Sequence, residues 1–177
     1  PTSDQSYLPL SGLCEEHVVG LQWPEPAEGT TGWLQPYRLM VAKLKAMEDH
    51  CQRCALEIDA GEFDVLFANS CMFFRNTPIG RYVRVPSVLY LQEPYRQLYE
   101  ALPALPWLAI REPTKVWWSP RYLPWFIKDL IRVQSLRVQA RNELTSAQGF
   151  DRILVNSLYS RDCVLRAYGM DSTVCYL

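Results

Sequence analysis

The stretch Asp151-Arg-Ile-Leu-Val-Asn-Ser-Leu-Tyr-Ser-Arg-Asp-Cys-Val-Leu-Arg-Ala-Tyr-Gly169 organises the rest of this 177-residue chain. Ile153 to Val155 is a short apolar run of the type that fits a strand buried on both faces. Asn156 and Ser157 end it. Ser157 suits a helix N-cap, and Cys163, Val164, Ala167 and Tyr168 then recur at helical spacing. Gly169 stands where a glycine closes a helix. Thr173 to Leu177 predicts a second strand. The reading is strand, helix, strand within about 25 residues, a compact βαβ unit with parallel pairing.

Such a unit sets Asn156 and Ser157 at the carboxyl end of a strand and the amino end of a helix. Free N–H groups and the helix dipole attract anions there, phosphates above all. Open α/β sheets bind their ligands along that edge. The plainer reading is that Ser157 only caps its helix.

Upstream, the pattern repeats. His17 to Trp23 reads as a strand and Pro24 to Gly32 as a loop. A helix begins near Pro36, with Met40, Leu44, Met47, Cys51, Cys54 or Ala55, and Ile58 about one turn apart, and ends at Gly61. Phe63 to Ala68 and Ser87 to Leu91 read as buried strands, with a short helix at Ile79 to Val83 between them. Pro124 to Gln148 predicts a long helix whose shared face carries Phe126, Leu130, Val133, Arg137, Ala140, Leu144 and Ala147. Strands alternating with helices predict one Rossmann-like α/β domain, an open, mostly parallel sheet with helices on both faces.

Composition narrows the function. Apolar residues make up 49% and the net charge is −1, so a folded core is expected and duplex nucleic acid is not an expected partner. The longest nearly apolar stretch, Ala101 to Ile110, is short and broken by prolines, so no span is expected. Six cysteines in this length are too few for a disulfide scaffold and fit thiols kept reduced in the cytoplasm. The chain starts without Met and stops on an apolar strand, the expectation for a piece of a longer protein whose first strand lies outside it.

Three loops are expected on one sheet edge: Asn69-Ser70, Gln92-Glu93-Pro94-Tyr95-Arg96 and Asn156-Ser157. Arg96 suits a bidentate grip on phosphate or carboxylate, and Glu93 suits sugar hydroxyls; an ordinary surface ion pair between them is the alternative. His50-Cys51-x-x-Cys54 lacks the second ligand pair of a zinc site, so its cysteines read as core and no metal is expected. Leu102 to Trp125 holds four of the six tryptophans. Its indoles and cations, Trp117, Trp118, Arg121 and Trp125, suit peripheral membrane contact or a groove for a lipid-linked acceptor, against the alternative of a loop folded into the core. Nucleophile-elbow, Walker and zincin motifs are missing.

Gln92-Glu-Pro-Tyr-Arg96 together with Asp151-Arg-Ile-Leu-Val-Asn-Ser-Leu-Tyr-Ser160, Tyr168-Gly169 and Val174-Cys-Tyr-Leu177 resembles the amino-terminal half of a family-4 glycosyltransferase of GT-B architecture. The likeness covers residues 63 to 177, and the first 62 in general layout. It implies an acceptor-side domain facing a donor domain that this chain lacks. It also implies sugar transfer with retention from a nucleotide-sugar substrate to a carbohydrate or lipid-linked acceptor, without a cofactor or site metal. Gln92, Glu93, Arg96 and Asn69 would then bind acceptor, and Asn156 and Ser157 would lie near the donor phosphates. The piece alone is expected to be inactive. Gln92 stands where the family often has His, and Gln carries no proton at neutral pH. A sugar-nucleotide epimerase on the same two-domain plan and a non-catalytic membrane-docking module are the alternatives. No oligomeric state is implied.

Overall fold

The computed structural model describes residues 13–15, 17–25, 32–71, 73–99 and 123–176. Its centre is a sheet of four parallel strands in sequential order: β1 (Leu66–Asn69), β2 (Ser87–Tyr90), β3 (Arg152–Val155) and β4 (Thr173–Val174). Among the described residues the helices are α1 (Gln35–Ala60), α2 (Arg96–Tyr99), α3 (Leu123–Ala147) and α4 (Leu158–Tyr168). A 3-10 turn, Pro78–Arg81, bridges β1 to β2. The α/β class with an open parallel sheet is as the sequence implies.

Alternation along the strands explains the core. Leu89 and Leu91 follow β2 on one side, and Ile153 and Val155 follow β3 on the same side, all nearly or fully buried. Ala147 and Phe150 from the end of α3, and Val164 and Tyr168 from α4, close over them. Each fully buried Leu or Val contributes about 1.5–3 kcal/mol over its exposed state. The 3-10 turn packs between α1 and α3 and touches β2. Gly80 lies so close under the Phe150 ring that a Cβ there would stand 2.8 Å from its carbons. On the sheet's other face, Phe67 is exposed and its ring stacks on buried Tyr90 at 6.3 Å. The end of α3 and α4 thus cover one and the same face of the sheet.

The βαβ unit forms as its residues dictate. Ser157 is extended and its Oγ accepts the Ser160 N–H at 3.1 Å, while Gly169 takes the left-handed conformation at φ 67° and its N–H donates to the Leu165 carbonyl. Asp151 adds a clamp at the strand entrances: its Oδ2 accepts the Ser87 N–H at 2.8 Å, and its own N–H donates to the Ser87 carbonyl. Ser157→Ala is expected to cost about 1 kcal/mol, the usual value of a lost N-cap. Thermal or urea unfolding reads this out, and an unchanged midpoint would deny the cap any weight.

Four elements differ from their sequence readings. His17 to Trp23 forms no strand; it runs along α1, with His17 Nε2 2.9 Å from Glu57 and the Arg53 guanidinium donating to the Gly20 carbonyl at 3.5 Å. Trp23 then packs on Phe73 and Phe74 with Lys43 over its ring. The first strand starts at Leu66, leaving Phe63 and Val65 exposed. The last is only two residues long. Along α3, one helical face passes from solvent to core as the helix comes over the sheet. Its later members, Leu144 and Ala147, reach the core, whereas Phe126, Leu130 and Arg137 face outward.

Candidate functional site on the carboxyl rim of the sheet

Parallel pairing sets the rim. Asn69 is level with Tyr90, and Tyr90 with Leu154. Beyond them the Ser70 N–H donates to the Tyr90 carbonyl, Leu91 to Leu154, and Cys175 to Val155. Asn69, Gln92 and Asn156 thus leave three neighbouring strands in the same direction, spread over about 10 Å at the usual strand spacing. Gln92, Asn69 and Asn156 are exposed and Glu93 is half-buried. Arg96 opens α2. No hydrogen bond joins Asn69, Gln92 and Asn156 to one another among the described residues. Trp117, Trp118 and Arg121 lie outside the described residues, and Trp125 sits in the first turn of α3.

Asn156 and Ser157 work as one unit. The buried Ser160 hydroxyl donates to Asn156 Oδ1 at 2.7 Å, which leaves the Ser157 hydroxyl to donate to Ser160 Oγ at 3.0 Å. The cap reading of Ser157 is therefore correct, and its hydroxyl proton is spent within the cap. The loop is held rigid at the amino end of α4, where the dipole favours negative charge.

Beside this rim lies a shallow cleft of about 20 Å³, room for about one water, bordered by Arg75, Asn76, Tyr95, Asn142 and Glu143 among others. Two of these follow β1, Tyr95 follows β2, and the last two belong to α3. Glu143 is buried and Oε1 accepts two hydrogen bonds, from the Tyr168 hydroxyl at 2.5 Å and the Tyr95 N–H at 3.0 Å. The Asn76 amide donates to Tyr168 Oη at 3.0 Å and to the Glu143 carbonyl at 3.1 Å. That carbonyl can only accept, which fixes the amide orientation. Asn76 Oδ1 and Arg75 Nε are then left buried with no partner among the described residues. Buried polar atoms of this kind are uncommon, and a ligand or water is their usual partner.

Burial pushes the Glu143 carboxyl above the ordinary range, while the Tyr168 hydroxyl, the Tyr95 N–H and the Arg75 charge pull it back. Burial and the Glu143 charge together raise the Tyr168 and Tyr99 hydroxyls, so both stay protonated donors. Chemically, the cleft offers a guanidinium, amide groups, an aromatic ring and a carboxyl of adjustable charge.

Sequence reading had not found Arg75, Asn76 or Glu143. The one available signal was Glu143 itself, a carboxylate four residues before the core residue Ala147 on the same helical side. Cys51 and Cys54 fall where the core reading put them: Cys51 is buried, with its thiol raised to about 12 mainly by desolvation, and Cys54 is half-buried with Sγ 3.6 Å from His50 Nε2. Among the described residues no group of three or more His, Cys, Asp or Glu could hold a metal ion, and no described helix is long and apolar enough to cross a membrane. Comparison with protein-family models, curated proteins and solved structures finds no match to this chain.

Proposed function

We propose that this chain is the acceptor-side half of a retaining glycosyltransferase, which moves a sugar from a nucleotide-sugar to a carbohydrate or lipid-linked acceptor. The observation that carries the reading is the shared rim: three adjacent parallel strands end in Asn69, Gln92 and Asn156, beside a cleft with unsatisfied buried polar atoms. The order of the motifs along the sequence supports it as well.

In this reading Gln92, Glu93 and Arg96 orient acceptor hydroxyls, with Asn69 at the near edge. Arg75 extends the same surface, over the buried Asn76. A hydroxyl-rich ligand needs donors and acceptors side by side, and this set supplies both. Asn156 and Ser157, held by Ser160, present the positive end of α4 to the donor phosphates. Gln92 positions and does not carry a proton. A donor-binding partner domain supplies the rest of the site.

The test joins the chain to a second nucleotide-binding domain and follows nucleoside diphosphate release from sugar donors with and without acceptors. The reading expects release that requires acceptor, a product of retained anomeric configuration, and a loss of about a hundredfold in kcat/KM for Asn156→Ala, as for other groups that stabilise developing charge. No release with any donor from a well-folded chain would count against transfer. Turnover without acceptor would move the assignment to an epimerase.

A further inference from the structure

We propose that the outward face of α3 docks on an anionic lipid surface, a role that goes beyond sugar transfer and stands without it. At about 100° per residue, Leu123, Phe126, Leu130, Gln134, Arg137 and Arg141 form one straight stripe along the helix, and all six are exposed. The core side of the same helix, marked by Glu143, Ser146 and Ala147, is roughly opposite Leu123 and Leu130. These apolar side chains do not contribute to the core. Leu123 is 58%, Phe126 48% and Leu130 46% exposed, on adjacent turns of one element.

Charge selects the occupant. Arg137 and Arg141 close the stripe at its far end and no acid lies on it, on a chain whose net charge is −1. Both arginines are exposed and, among the described residues, enter no ion pair. Apolar and cationic groups are also separated lengthwise, with the three apolar residues in the first turns and Arg137 and Arg141 about 10–16 Å further along at 1.5 Å per residue. A helix set at a shallow angle against a bilayer would bury its first turns below the headgroups while the arginines meet lipid phosphates.

The experiment sediments the full chain with phosphatidylcholine vesicles, with and without about a third phosphatidylglycerol. Binding to the anionic vesicles is expected, falling with added salt. Leu123→Asp with Leu130→Asp should weaken partitioning at least about tenfold. Arg137→Glu with Arg141→Glu should remove the preference for anionic lipid. All four positions are exposed, so circular dichroism should show both variants folded. Failure to bind anionic vesicles, or binding that neither variant alters, overturns the proposal. So does a concentration-dependent dimer lost in the Asp variant without vesicle binding, which would assign the stripe to a second copy of the chain.

Discussion

Replacing Glu143 with Leu is expected to lower unfolding free energy by about 3 kcal/mol in urea denaturation. Leucine has similar volume but leaves the Tyr168 hydroxyl and the Tyr95 N–H without their shared acceptor. Each buried donor so orphaned costs about 1–3 kcal/mol. Glu143→Gln keeps an Oε1 acceptor for both donors and is expected to cost much less. It also removes a titration. Burial raises the Glu143 pKa above its ordinary 4.5, so the folded chain holds this proton more tightly than the unfolded chain. The resulting stabilisation is complete below the unfolded pKa and is lost as pH rises through the folded one. Wild-type stability should therefore decline relative to the Gln variant as pH climbs above 4.5. Two parallel curves over that window would mean that Glu143 gains no proton affinity on folding.

Gly149→Val should cost about 2–3 kcal/mol, the range for forcing volume into a filled contact. A Cβ at Gly149 would stand 2.8 Å from the Arg81 backbone nitrogen and 3.1 Å from its Cα. Those atoms cannot swing aside as a side chain end can. The neighbouring Gly80 lies against the Phe150 ring, so residues 80–81 and 149–150 interlock as a pair. A β-branched group there must push the 3-10 turn away from the end of α3 and open the seam over Leu89. Gly20→Val, where nothing lies within 4 Å, serves as the comparison and is expected to change stability by no more than about 0.5 kcal/mol. Equal losses in the two variants would remove the steric explanation.

Local chemistry was well written in the sequence, and contacts made at long range were not. Ser157 and Gly169 announce both ends of α4 because capping depends on a single residue and its immediate neighbours. Gly61 ends α1 for a similar reason. The sheet class followed from alternating elements and held. The failures share a cause. His17 to Trp23 has strand-like residues, yet Glu57, Arg53 and Phe73 compete for them from elsewhere in the fold. Heptad spacing along α3 looked like one core face because a linear reading ignores where the helix outruns the sheet. Asn69, Gln92 and Asn156 were legible as rim residues since parallel strands fix direction. Asn76 and Glu143 were not, because their pairing joins loop to helix across 67 positions, and no local pattern encodes it.

The strictly sequential strand order carries a consequence for how the molecule is assembled. Every new strand adds at the same growing edge, so the chain can build its sheet from the amino end during synthesis without inserting a strand between two already paired. The β1–β2 and β3–β4 joints close over short connections. The joint between β2 and β3 must wait for some sixty residues to emerge, and closure over a span of that order is entropically the slowest. Before that, β2 offers a bare edge to any neighbouring strand. Coproduction with a chaperone that shields this half-built edge should matter more for yield than any change in the finished fold's stability.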